Sequence, residues 1–130
     1  MIQVQQQSFI RNQKGFTLIE MISIMIILGV LGSVGVKKYD NFTHTASEQI
    51  LTTAVYELNT REKLIWVDMK ISTDGYKKDE DVYAVLDTNV GSRLKWNPGP
   101  NIGGGTFHCE SASRILTRTP SSITEAARWQ

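Results

Sequence analysis

Residues 14–36 read KGFTLIEMISIMIILGVLGSVGV, and this stretch decides how the 130-residue chain is organised. From Phe16 to Val36 the sequence holds 21 residues, and Glu20 is the one charged side chain among them. As an α-helix this segment would rise roughly 31 Å, close to the hydrocarbon thickness of a bilayer. The remaining chain is too short to enclose a helix that is apolar on every side. We therefore expect a single-pass membrane helix.

The overall charge excludes some classes of function. The chain has 14 Lys+Arg and 13 Asp+Glu, which leaves a formal net charge of +1. A nearly neutral chain lacks the long-range field that draws proteins to nucleic acid, so we do not expect nucleic acid as a partner.

The few cysteine and histidine residues argue against an enzyme and against a bound metal. One cysteine, Cys109, cannot form a disulfide within the chain, and His44 and His108 are too few for a Cys/His metal cage. His108 and Cys109 are neighbours on a predicted strand, so they point to opposite faces and cannot act as a nucleophile–base pair. We expect a non-enzymatic protein without cofactor or metal, with Cys109 buried as a small apolar residue.

Glu20 is the unusual residue of the apolar segment. A carboxylate inside a membrane helix costs about 2.5–3.5 kcal/mol on insertion scales, so such a residue is treated as functional and needs a partner. It lies four residues after Phe16, about 6 Å along a helix axis, and therefore near one membrane interface.

The residues Lys14, Gly15, Phe16 and Glu20, followed directly by the apolar run, resemble the N-terminal cleavage and methylation motif of type IV pilins and type II secretion pseudopilins. The resemblance covers residues 11–36, about a fifth of the chain. It implies that a prepilin peptidase/methyltransferase cuts between Gly15 and Phe16 and methylates the new Phe16 amine. It also implies that Glu20 pairs with the N-terminal amine of a neighbouring subunit during assembly.

The resemblance further implies partners and a location. The partners are other copies in a homopolymer or mixed filament, the peptidase, an inner-membrane assembly platform, and membrane lipid before assembly. The precursor would lie in the inner membrane and the product in an extracellular pilus filament. Two alternatives stay open: a type II secretion pseudopilin in a periplasmic filament, and a single-pass membrane-anchored binding module.

The predicted fold is α+β, with a long N-terminal helix packed on a small antiparallel meander. We divide the chain into a leader at 1–15, a transmembrane or filament-core helix at 16–36 and a head at 37–130. Apolar residues spaced three or four apart extend the helix to about residue 71; they are Tyr39, Phe42, Ala46, Ile50, Ala54 and Leu58.

Beyond Gly75 the apolar period changes to two, which predicts short strands. The four predicted strands are 82–86, 93–96, 106–109 and 114–117. Ser122 and Glu125 have the spacing of a capping box, so Ala126–Trp129 is predicted to form one helical turn.

Two loops raise the question of ligands. The segment Asp74–Asp81 is rich in acids and could ligate calcium, but it lacks EF-hand spacing and includes lysines, which favours a solvated loop. The run Gly103–Gly105 lacks the features of a phosphate-binding loop and is predicted to be a flexible hairpin loop.

Overall fold

A computed structural model describes residues 15–130, so the predicted leader, apart from Gly15, lies outside the described residues. Within residues 15–130 the fold is α+β, as predicted, with two helices and one four-stranded antiparallel sheet in the order β1-β2-β3-β4. The elements in chain order are α1 (Leu18–Ile71), α2 (Asp79–Val85), β1 (Lys95–Trp96), β2 (Gly104–Cys109), β3 (Ala112–Thr119) and β4 (Arg128–Trp129).

The chain divides into two units, one up to Lys38 and one from Tyr39 to Gln130. In the first unit every described residue is exposed. Helix α1 contains an 18-residue window with a mean hydropathy of 2.2, none of which is buried. By length and composition this part of α1 can cross a membrane.

The second unit, which we call the head, has its own core. Helix α1 contributes Leu51, Ala54 and Leu58, which are at most 4% exposed. They pack with side chains from the sheet, chiefly Phe107 and Trp129. The burial of residues spaced three and four apart explains why this segment is helical.

The predicted apolar face of α1 is correct in part. Ala54 and Leu58 are buried, but Tyr39 and Phe42 are each 71% exposed. Leu51, which the prediction left out, is fully buried. The buried stripe begins at Ser47 and runs through Leu51, so the head covers a slightly rotated and shorter face of the helix.

Strands β2 and β3 form a hairpin in which Cys109 is opposite Ala112. Side chains on β3 alternate between buried and exposed, as expected of a sheet with one face on the core. Cys109 is buried, as predicted, and His108, which points to the opposite face, is exposed.

The strand predicted at 82–86 is wrong, because this segment forms helix α2. Three acids, Asp79, Glu80 and Asp81, occupy its first turn, where the helix dipole favours negative charge. Val82 and Leu86, one helical turn apart, both face the core.

The helical turn predicted at Ala126–Trp129 is also wrong. The Ser122 hydroxyl does accept the backbone N–H of Glu125 at 3.0 Å, so the cap exists, but no helix follows it. Instead Trp129 pairs with Arg118 as strand β4 and is 1% exposed. Burial of the indole outweighs a local capping preference.

The run Gly103–Gly105 is only partly a loop. Gly104 and Gly105 open strand β2, where they pair with Thr117 and Leu116. The prediction of a hairpin loop therefore holds for Gly103 alone.

Candidate functional site

The first site is the start of helix α1, which is closed by a capping box. The backbone N–H of Thr17 and its hydroxyl both donate to Glu20 Oε2, at 2.7 and 2.8 Å. In return the backbone N–H of Glu20 lies 3.3 Å from Thr17 Oγ1. The carboxylate is therefore held at the N-terminus of its own helix, where the dipole favours a negative charge.

Gly15 and Phe16 precede the helix and are both exposed. A Cβ placed on Gly15 would meet no heavy atom within 4 Å, and Phe16 is 74% exposed. The peptide bond between them therefore lies in an exposed, non-helical segment. A peptidase can bind such a segment as an extended chain. Gly15, Phe16 and Glu20 all lie at this end of the molecule; their roles in cleavage, methylation and assembly stay predictions.

The helix that follows has no apolar partner among the described residues of its own unit. Each large apolar side chain from Phe16 to Val36 is at least 41% exposed. The hydroxyls of Ser23 and Ser33 donate to the carbonyls of Ile19 and Val30, both at 2.8 Å, so these polar groups need no water. A surface with satisfied polar groups and exposed apolar groups suits lipid or other helices.

Residues 10–36 match the prokaryotic N-terminal methylation motif. The match covers the residues that carry the resemblance and confirms the similarity to type IV pilins and type II secretion pseudopilins. Comparisons with curated proteins and with solved structures gave no match.

The head contains a second cluster, made of buried charges. Arg118 Nε lies 2.5 Å from Glu62 Oε1, and its two terminal nitrogens lie 2.7 and 2.9 Å from the oxygens of Asp79. The side chains of Arg118 and Glu62 are fully buried, and that of Asp79 is 12% exposed. The indole N–H of Trp129 also donates to Glu62, at 3.0 Å. The cluster joins α1, α2, β3 and β4.

Burial and pairing act in opposite directions on these groups. Burial alone would raise the pKa of Asp79, but hydrogen bonds from Arg118 and from Ser121 outweigh it and leave the pKa below its ordinary value. Burial alone would lower the pKa of Arg118, but hydrogen bonds to Asp79 and Glu62 outweigh it and leave the pKa above its ordinary value. Asp79 and Arg118 are therefore both charged at neutral pH.

The acidic segment Asp74–Asp81 includes Asp79 and therefore contributes to this cluster. Asp79 accepts hydrogen bonds from Arg118 and from the N–H and hydroxyl of Ser121, so the internal guanidinium occupies the position of a counter-ion. Within residues 15–130 no group of three or more His, Cys, Asp or Glu side chains is placed to hold a metal ion.

Glu62 was not among the predicted site residues, although its position in the sequence indicates that it is buried. Glu62 lies four residues after Leu58 and eight after Ala54, so it continues their buried stripe. An acid at a core position of an amphipathic helix indicates a buried partner. That partner is Arg118, which lies 56 residues further along the chain, so it could not be identified from the spacing of residues in the sequence.

Proposed function

We propose that this chain is the precursor of a structural subunit that polymerises into a type IV pilus-like filament for adhesion, motility or uptake. A peptidase removes residues 1–15 and methylates the amine of Phe16. The observation that carries the proposal is the methylation motif at residues 10–36, which leads into a membrane-length helix whose apolar side chains are exposed.

Glu20 gives the proposal its assembly step. Cleavage creates a positive amine on Phe16, at the start of an apolar helix. In an apolar bundle that amine needs a counter-charge, and Glu20 is the only acid from Phe16 to Val36. Pairing between neighbouring subunits fixes the axial position of one helix on the next. Head-to-tail contacts that do not close then give a helical filament without bond-forming chemistry.

The alternative is a type II secretion pseudopilin in a short periplasmic filament. The observation that favours it is the single cysteine, Cys109, which is buried. Many pilins close a C-terminal loop with a disulfide, and this chain cannot do so. Both alternatives use the same processing and the same helix, so they differ in where the filament lies.

The test of assembly is Glu20→Gln, which removes the charge and keeps the shape. Expressed in a host with a prepilin peptidase and assembly platform, the variant is expected to insert and to lose its leader, but to be absent from the filament fraction. Glu80→Gln, at an exposed acid of the head, is the matched control and is expected to assemble normally. Normal filaments from Glu20→Gln would contradict the assembly step assigned to Glu20, and a wild-type chain that never enters the filament fraction would favour a membrane-anchored binding module.

A further inference from the structure

The outward side of α1 in the head carries no charged residue along its centre. The residues on this side form a stripe opposite the buried residues Leu51 and Leu58, and all of them are exposed. We call it the outer stripe; it consists of Gln49, Thr53, Tyr56, Thr60, Leu64, Val67 and Ile71. Its four apolar members are 70%, 66%, 46% and 78% exposed, in chain order. Four exposed apolar side chains in an uncharged row on the solvent side of a helix indicate an interaction surface.

The two flanks of the outer stripe have opposite charge. Lys63 and Asp68 are five residues apart, which places them about 140° apart around the helix axis, one on each flank. Lys70 shares the flank of Lys63, and Glu57 and Arg61 share that of Asp68. In residues 15–130 neither Lys63 nor Asp68 has an ion-pair partner within 4.0 Å, whereas Glu57 is bridged to Arg61 at 2.9 Å.

The basic flank opens into a groove of about 630 Å³ between α1 and the C-terminal segment. Tyr56, Lys63 and Val67 form one wall, and Arg128 and Glu125 belong to the other. Two cations and one acid give the groove a net positive charge, so it is suited to an incoming carboxylate.

We propose that the outer stripe is the contact between two copies of this chain whose α1 helices run in the same direction, with Asp68 of one copy entering the groove beside Lys63 of the next. The inference rests on the proposed filament and adds the residues of the contact and the ion pair that aligns it. The reason for a second copy is charge complementarity, because one chain carries both a basic and an acidic flank. Parallel copies bring opposite flanks together, whereas antiparallel copies facing each other would bring like charges together.

The test is a charge swap in the full-length chain. Lys63→Glu and Asp68→Lys each place like charges at the contact and are expected to lower the filament yield about fivefold or more. The double variant, with both substitutions in one chain, restores opposite charges at every contact and is expected to recover most of the yield. Asp74→Lys and Lys77→Glu change equally exposed charges away from the stripe and are the matched controls, with unchanged yield. A double variant no better than either single variant would overturn the inference.

Cysteine crosslinking separates this inference from the proposed function. A chain with both Lys63→Cys and Asp68→Cys is expected to form a ladder of homotypic multimers under mild oxidation, while each single variant stays monomeric; the native Cys109 can stay because it is buried. Self-crosslinking of Lys63→Cys alone would show antiparallel copies, and an adduct to a different protein would show another occupant; either result overturns the inference. If assembly depends on Glu20 but no ladder forms, this inference falls and the proposed function stands. If assembly itself is absent, both fall.

Discussion

Arg118 is the residue at which four elements of the head meet. It binds Glu62 of α1 and Asp79 of α2, and Glu62 in turn accepts the indole N–H of Trp129. Two carboxylates and a guanidinium out of water are costly, and they are tolerated because every one of their buried polar atoms has a partner. Such a cluster adds specificity to the packing more than stability, because only one arrangement of the elements satisfies it.

We expect Glu62→Gln to destabilise the head strongly. The change leaves the buried Arg118 with less compensating charge, and removal of one member of a buried pair typically costs about 3 kcal/mol or more. The control is Glu57→Gln, which breaks the more exposed pair with Arg61 and is expected to cost about 0.5 kcal/mol or less. Unfolding of the full chain in detergent micelles, followed by tryptophan fluorescence, measures both; equal losses would contradict the assigned role of Glu62.

Asp79 predicts a dependence of stability on pH. Its pKa in the folded chain lies below the ordinary value of 3.8, so the ionised form stabilises the fold. This contribution is complete above about pH 4 and is lost as the pH falls through the lowered pKa. Asp79→Asn removes it, so the variant is expected to be less stable than the wild type at pH 7, with a gap that narrows toward about pH 2. A gap of constant size over this range would contradict the assignment.

Among the secondary-structure elements, those with a long and local pattern of apolar residues could be predicted from the sequence. The apolar run and its continuation predicted α1, and alternation predicted β2 and β3. The prediction failed in two short segments. The residues 82–86 fit either a helix or a strand, and the acids before them decide in favour of α2. For β4, the Ser122 cap predicted a helix, but the pairing of Trp129 with a distant strand determines the outcome.

The site divides in the same way. The segment from Gly15 to Glu20 could be recognised because its residues are adjacent in sequence. The Glu62–Arg118 pair could not be predicted, because it joins residues 56 positions apart through the tertiary fold.

At the start of strand β2, Gly104 lies too close to the neighbouring backbone to carry a side chain. Gly104 has a φ of +134°, and a Cβ there would lie 2.1 Å from the carbonyl oxygen of Leu116. Gly104→Ala is therefore expected to destabilise the head by more than about 2 kcal/mol or to prevent folding. Gly103→Ala is the control, because its Cβ would lie 3.5 Å from Asn101 Oδ1, an ordinary contact, and its cost is expected to stay within about 0.5 kcal/mol. Thermal unfolding of both variants measures this; equal melting temperatures would contradict the assigned geometry.

At the scale of the whole molecule, the two units differ in what they need. The head, from Tyr39 to Gln130, has an apolar core and a satisfied charge cluster of its own. The described residues up to Lys38 bury nothing, so their apolar surface requires lipid or other protein. A subunit that is first stored in a membrane and later packed into a filament meets this requirement in both states.

Intact-mass spectrometry of the protein in filaments sheared from native cells tests most directly whether the chain is a processed filament subunit. The expected mass lacks residues 1–15 and includes one additional methyl group on Phe16. The same processed mass found only in the cell envelope would assign the filament to the periplasm. A chain that retains its first 15 residues in every fraction would contradict the proposed processing and assembly.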